Sequence, residues 1–472
     1  MKIRTYTGRV ILYLIAACAL TGCKTGNSEE RIPEAPAAVT VWHSYNALAK
    51  IKFDQLVMNF NETVGMEKGI VVDSQGYGSS EELSDALYDS ANEMTGSDAL
   101  PNIFISYPDS AYRLNEIAPL VKMETYFTEE ELAAYRKEFL EEGIWDGTDS
   151  YRMIPIAKST ELLYLNRTDW DRFAEETGAS MELLRTWEGL SKAASMYYDW
   201  SQGKAFLGIN SYNDFAVLSA AQAGEEPYDE KGGFHYSRET AKRAWDAYYV
   251  PHIQGWYRSS VYNQDGIKSG NLIAYIGSSA GASFFPEEVI VNDHETYPVE
   301  CEVLPYPVFK DGGNYMTQRG ANLAVFESDP VHEAAAVEFL KWITAPEQNV
   351  KFAVSTGYLP VQNKALDSAE LVVEYVEEEN NPEAVKLGMK AAIKAMESGI
   401  FYSRKPFKGS YERNAVFSES LADRTSRDIM ELEASGADYD DKLHKFLSEE
   451  NFEAWYQSLL IEMDGGANEQ KD

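Results

Sequence analysis

Cysteine is nearly absent, with three residues in 472, Cys18, Cys23 and Cys301. That is too few and too scattered for a disulfide framework or a zinc cluster. Histidine is also scarce, with six along the chain. His332-Glu333 begins like a zinc-protease helix, but Ala336 stands where the second ligand is needed. Basic residues are outnumbered, 42 Lys and Arg against 76 Asp and Glu, for a formal charge of −34. Nucleic acid needs a basic face that displaces counterions, so that class of partner is excluded. Gly76-Tyr77-Gly78 lacks the third glycine and the lysine of a phosphate loop. Asn263-Gln264-Asp265-Gly266 lacks the spacing and terminal Glu of a calcium loop. No metal and no cofactor is therefore expected. The apolar stretch from Val10 to Leu20 is too short to anchor stably across a bilayer.

What the chain does have is apolar material to bury. At 44% hydrophobic and 25% charged it is a folding composition, and its length suggests two or three lobes. Lys2, Arg4 and Arg9 precede the Val10–Leu20 run without an acid before residue 29, which reads as a secretory signal over residues 1–22. Leu20-Thr21-Gly22-Cys23 resembles the bacterial lipoprotein cleavage and acylation signal. The resemblance implies that Cys23 becomes an acylated N-terminus, bearing palmitate-type chains that hold it to a membrane at roughly 0.8 kcal/mol per buried CH₂. An ordinary signal peptide with a chance cysteine is the alternative. Residues 23–37, polar and Pro-containing, then read as a lipidated tether. Only Cys301 would remain, so no disulfide within the chain is expected.

Short apolar runs alternate with amphipathic segments, the signature of α/β architecture with largely parallel sheets. Val39–Trp42, Gly69–Val72 and Pro101–Ile105 read as strands with helices between them, the second helix starting near Ser80. The pattern restarts with Glu161–Leu165, Phe206–Ile209 and Leu272–Ile276. Asp329-Pro330 makes a helix start, and Pro346 opens another helix. From residue 363 the chain reads as mostly helical and acidic, with Glu377–Glu379 a solvated face and residues 465–472 a loose tail. Doubly wound lobes of this kind bind ligands beyond the carboxyl ends of their strands.

One motif looks enzymatic. Gly277-Ser278-Ser279-Ala280-Gly281 follows an apolar strand, the context in which an α/β-hydrolase presents a nucleophile. A serine hydrolase using Ser279 would still need a downstream histidine, and only His294, His332 and His444 are available, without supporting signatures. Small residues at a strand end equally suit a backbone that a ligand approaches closely. Paired carboxylates carry no weight among 76 acids. Aromatic and polar residues, by contrast, collect at strand ends: Trp42-His43-Ser44-Tyr45, Tyr77, Tyr107-Pro108-Asp109, Tyr212 and Tyr358. Tyr and Trp offer a sugar ring an apolar face and its hydroxyls a polar handle. Core or interlobe packing is the competing reading for each of them.

The sequence resembles the extracellular solute-binding proteins of bacterial ABC importers, in the carbohydrate and glycerol-3-phosphate branch. The resemblance rests on Val41–Ser44, Pro101–Ile103, Pro155–Thr160 leading into Leu163–Asn166, Arg319–Phe326, Ala336–Trp342 and Ser355–Val361. It implies two doubly wound lobes joined by a hinge, the type II periplasmic-binding-protein arrangement. Lobe 1 would comprise 38–154 and 302–328, and lobe 2 would comprise 155–301 and 329–464, with crossings near Ile154-Pro155, Val303–Pro305 and Ser328. It further implies a monomer with no enzymatic activity, a mono- or oligosaccharide held between the lobes, ABC permease subunits as partners and an extracytoplasmic, lipid-anchored location.

Carried over by position, the cleft would take Trp42, Ser44, Tyr45, Glu81, Tyr107 and Asp109 from the first lobe. Ser159, Thr160, Tyr212 and Tyr358 would face them, with Ser278, Ser279 and Gly320 near the junction. Glycerol-3-phosphate binders carry an arginine late in the chain, where this sequence reads Lys408-Gly409-Ser410-Tyr411-Glu412-Arg413. Tyr411 occupies the arginine's place, and Arg413 or Arg319 would have to grip a phosphate, since arginine suits bidentate oxyanion contacts. Either could instead be an ion-pair partner among many acids. A neutral sugar is thus the first expectation, with glycerol-3-phosphate or a related phosphodiester as the alternative.

Overall fold

The alternating apolar runs organise into two mixed sheets. The computed structural model describes residues 36–145, 150–229, 232–258, 260, 262–366 and 382–468. The expected signal, Cys23, the tether up to residue 35 and Glu377–Glu379 lie outside the described residues. Of the expected tail, residues 465–468 continue the helix Glu449–Asn468, anchored upstream by buried Leu459 and Met463. Residues 469–472 lie outside the description.

Strands β1 (Ala37–His43), β2 (Ile70–Gly76) and β3 (Ile103–Ser106) run parallel and are followed by helices Ala47–Phe60, Ser80–Ala91 and Pro108–Asn115. Their starts follow from sequence: Ser79 caps the second helix by accepting from Glu82 N–H, and Pro108 fills the first position of the third, where no donor is needed. Strand β4 (Met153–Pro155) completes this layer before the chain crosses to β5 (Glu161–Asn166). Strands β6 (Leu207–Ile209), β7 (Tyr257–Arg258) and β8 (Ala274–Ser278) build the second sheet. An exposed hairpin, β9 (Glu288–Asn292) and β10 (Glu295–Pro298), precedes β11 (Cys301–Pro305). Then come β12 (Tyr315–Thr317), β13 (Asn322–Val325) and, much later, β14 (Ile400–Tyr402), which pairs with β12.

The first sheet has the order β2-β1-β3-β13-β4 and the second β11-β5-β8-β6-β7. Each keeps parallel pairs on one side and antiparallel pairs on the other. This is less parallel than the sequence suggests, because β5 and β13, which leave the lobe crossings, run back from the hinge and pair antiparallel with their neighbours on both sides. The two passages between lobes lie side by side, residues 156–160 and 318–321. They are tied by reciprocal backbone hydrogen bonds between Ser159 and Arg319, at 3.0 and 2.8 Å.

Two expected boundaries move. Strand β11 pairs with β5, so the chain is still in the second sheet at Val303–Pro305. No crossing occurs at Ser328, because helices Pro330–Thr344 and Pro346–Ser355 pack on the first lobe. There Phe339 and Trp342 meet Phe60 at 5.1 and 5.4 Å, and Phe352 meets Tyr45 at 5.4 Å. The Asp329 cap does form, accepting from Val331 and His332 N–H. Helix Glu383–Ser398 packs against β11 of the second sheet. Among the described residues no helix is long and apolar enough to cross a membrane.

Candidate functional site

Helix starts converge on the gap between the lobes because β2, β3 and β6 deliver their carboxyl ends there. Ser80 and Glu81, Tyr107 to Ser110, and Ser211, Asn213 and Asp214 all stand at such junctions and line a chamber of about 480 Å³. The second lobe closes it with Tyr402, Arg404, Tyr411 and Asn414, and the hinge contributes Thr317 to Arg319. A second chamber of about 270 Å³ lies toward the hinge, lined by Ser44, Tyr45, Ser159, Ser278, Gly320 and Tyr358 among others. Ser44, Ser80, Tyr107 and Arg319 line both chambers.

The polar groups of the main chamber are largely occupied by one another. Arg319 Nη1 donates to Glu161 Oε1 at 2.7 Å and lies 3.2 Å from Asp214 Oδ2, while Thr317 Oγ1 donates to Asp214 Oδ1 at 2.9 Å. Glu161 is 1% exposed. Burial pushes its carboxyl up to about 7, against the pull of Arg319 and with the push of Asp214. Glu142 is gripped by buried Lys158 and by Asn322 Nδ2 at 2.8 Å. Desolvation lowers the Lys158 ammonium. Asp109 accepts from Ser410 Oγ and Asn414 Nδ2, both at 2.5 Å, and so joins the lobes.

The inner chamber is tyrosine-walled. Tyr45 is buried and its hydroxyl has no hydrogen-bond partner among the described residues. Burial raises its phenol well above the ordinary value, with Tyr358 and Tyr107 adding to the effect. His43 holds the turn beneath it: Nδ1 accepts from Tyr45 N–H at 3.1 Å, and burial lowers the imidazole to about 4, so it is neutral. Ser44 Oγ lies 3.3 Å from Ser80 Oγ.

Of the sequence-derived candidates, Glu81, Asp109 and Tyr411 line the main chamber, and Ser44 and Tyr107 line both. Tyr45, Ser159, Ser278, Gly320 and Tyr358 line the inner one. The remaining five line neither. Trp42 is 3% exposed and packs on Tyr77 at 5.1 Å, within the cluster of Leu83, Leu87, Phe104 and Trp145. Tyr212 packs against Tyr248 at 4.6 Å, the rings tilted, inside the second lobe. Arg413 turns away, donating to Met463 O at 3.2 Å with its guanidinium over Tyr228. Thr160 and Ser279 are buried behind the chamber wall, with Ser279 N–H donating to Thr160 O at 2.8 Å. Ser279 Oγ has no hydrogen-bond partner among the described residues, so no imidazole stands ready to take its proton.

The sequence reading passed over Asp214, Glu142, Gln318, Arg404 and Asn414. Asp214 carried a signal, the Ser211-x-x-Asp214 pattern of a helix start after β6, realised by Asp214 N–H donating to Ser211 Oγ at 3.4 Å. Gln318 carried none, since only the fold brings it to the chamber.

Residues 55–381 match the family of bacterial extracellular solute-binding proteins. Among solved structures, the chain is similar to a cyclic α-maltosyl-1,6-maltose binding protein from Arthrobacter globiformis. The identity is 19% and the TM-score 0.63, with 90% of this chain and 99% of that one covered. It is also similar to UgpB from Mycobacterium tuberculosis in complex with glycerophosphocholine, at 16% identity and a TM-score of 0.64, covering 91% and 99%. A third is the substrate-binding protein Lmo0181 from Listeria monocytogenes in complex with cycloalternan, at 14% identity and a TM-score of 0.62, covering 82% and 94%. All three share the two-lobed fold.

Proposed function

The chain belongs to the bacterial extracellular solute-binding proteins, and from that premise we propose that it captures a neutral mono- or oligosaccharide between its lobes for delivery to an ABC importer. The observation that carries this reading is the lining of the main chamber. Hydroxyls, carboxylates and tyrosine rings from both lobes face one space, and neither candidate arginine is free for a phosphate. Carboxylates accept sugar hydroxyls, and tyrosines take the C–H face of a ring. Closure around such a ligand is stabilised only by contacts it makes to both lobes at once.

Two of the similar structures bind cyclic oligosaccharides by their descriptions, and one holds glycerophosphocholine. For the phosphodiester alternative, Arg319 sits between two carboxylates, Arg413 lies inside the second lobe, and Arg404, which does line the chamber, is engaged by Asn414 Oδ1. Cys23 carries the acyl anchor in this proposal, and the tether expected over residues 23–37 places the lobes outside the membrane. The protein works as a monomer that meets the permease subunits with both lobes, and no bond in the ligand is broken.

Thermal-shift measurement tests the reading, using glucose, maltose, maltotriose, xylotriose, glycerol-3-phosphate and glycerophosphocholine. A ligand near a hundred times its Kd stabilises by about 2.7 kcal/mol, a visible shift. The expected result is a shift with one sugar series. A shift with the phosphate compounds alone overturns it.

A further inference from the structure

Gln318 follows β12 directly and opens the second hinge passage, held there by its N–H donating to Tyr402 O at 3.3 Å. Its side chain lines the main chamber and is 8% exposed. Both Oε1 and Nε2 are buried, and neither has a hydrogen-bond partner among the described residues. Polar groups of the chamber pair with one another instead, Arg319 with Glu161 and Asp214, Thr317 with Asp214, and Glu142 with Lys158. A primary amide that closes in this way loses its hydration at both ends and gains nothing in return.

Resting on the solute-binding reading, we infer that Gln318 is the specificity residue of the chamber and makes closure depend on a ligand that both donates and accepts. The amide offers a donor and an acceptor side by side. A pair of adjacent sugar hydroxyls satisfies both, one accepting from Nε2 and the other donating to Oε1. An acceptor-only group such as a phosphate dianion satisfies Nε2 and leaves Oε1 stranded. In the ligand-free protein the amide is relieved by opening, because water then reaches it. Its place at the hinge couples the two effects: the residue that reads the ligand sits on the segment about which the lobes turn.

The test uses Gln318→Met, which keeps length and volume without either polar atom, and Gln318→Leu as a second variant. Both are checked for folding by circular dichroism. Small-angle scattering of the ligand-free proteins comes first. Removing the stranded amide should lower the radius of gyration below that of the wild type, because closure without ligand no longer costs the desolvation. Calorimetric titration follows, with whichever compound of the thermal-shift series stabilises the wild type. Affinity should fall at least about tenfold, the loss typical of a buried polar pair broken on one side. A radius of gyration that stays the same or rises overturns the inference, as does an unchanged affinity. If none of the sugars binds, the carbohydrate reading fails by itself, and scattering alone then decides the role of Gln318.

Discussion

The Asp109 carboxylate of the first lobe accepts a hydrogen bond from Ser410 Oγ of the second, at 2.5 Å. Asp109 lies in the first turn of helix Pro108–Asn115, and Ser410 is the first residue of helix Ser410–Glu433, whose Asn414 completes the grip. The carboxylate thus sits between two helix N-termini, where backbone dipoles favour negative charge. Beside it Arg113 lies over the Tyr411 ring at 4.1 Å and 3.6 Å from Glu412. This is a latch across the mouth of the main chamber.

Asp109→Ala should therefore open the ligand-free protein and weaken ligand binding. Hydrogen bonds to a charged group contribute about 1.5–3 kcal/mol each when shielded, so a tenfold or greater rise in Kd is expected. Asp109→Asn, which keeps one acceptor, should fall between. Scattering and titration check both, and a variant indistinguishable from wild type in each would remove the latch from the account of closure.

Glu161 sets a pH dependence whose sign is fixed. Its carboxyl titrates near 7 in the folded protein against an ordinary 4.5, chiefly through burial, with Arg319, Asp214, Tyr164, Tyr275 and Tyr306 as titratable neighbours. Folding favours the protonated form. The contribution is fully present below about 4.5 and is lost as pH rises through 7. Glu161→Gln cannot titrate, so its melting temperature should rise relative to wild type between pH 4.5 and 7.5. A difference that is flat, or that runs the other way, would contradict the assignment. Melting curves of both proteins over that range decide the point.

Much of the strand-end geometry was legible because parallel strands place their following turns on one edge, whatever the details of packing. Ser44, Tyr107 and Asp109, picked for that reason, line the main chamber. Arg319 and Glu161 are 158 residues apart in sequence, and Thr317 and Asp214 are 103 apart. No local pattern announces such pairs, so the partners of Arg319 and the isolation of Gln318 emerge only once the hinge passages are side by side. Trp42, expected in the cleft, lines neither chamber, and the reason is different. A strand in a doubly wound sheet is covered on both faces, so an aromatic near its end reads the same whether it meets ligand or helix.

Trp42→Ala should accordingly behave as a core deletion. Its ring packs among Tyr77, Leu83, Leu87 and Phe104, and truncating a buried aromatic of this kind costs about 3–5 kcal/mol. Denaturant unfolding should show that loss, while the affinity of the protein that remains folded stays close to wild type. A selective loss of affinity at unchanged stability would return Trp42 to the cleft wall.

Gly320 packs tightly against the other hinge passage. It sits at φ +88°, a region that side chains disfavour, and a Cβ there would come within 2.2 Å of Ala157 O and 2.8 Å of Lys158 Cα. Both obstacles are backbone, so no rotamer change relieves them. Gly320→Ala must push residues 156–160 away from 318–321, against the Ser159–Arg319 hydrogen bonds that tie them. The displaced segments carry Ser159 into the inner chamber and Arg319 into both chambers. The variant should lose stability and ligand affinity together, unlike Trp42→Ala, which should lose stability alone. Ala321→Gly, one residue on, adds no side-chain atom between the passages and serves as the control. Unfolding and titration measured side by side on the three variants separate a hinge that positions the site from a core that merely holds the lobe.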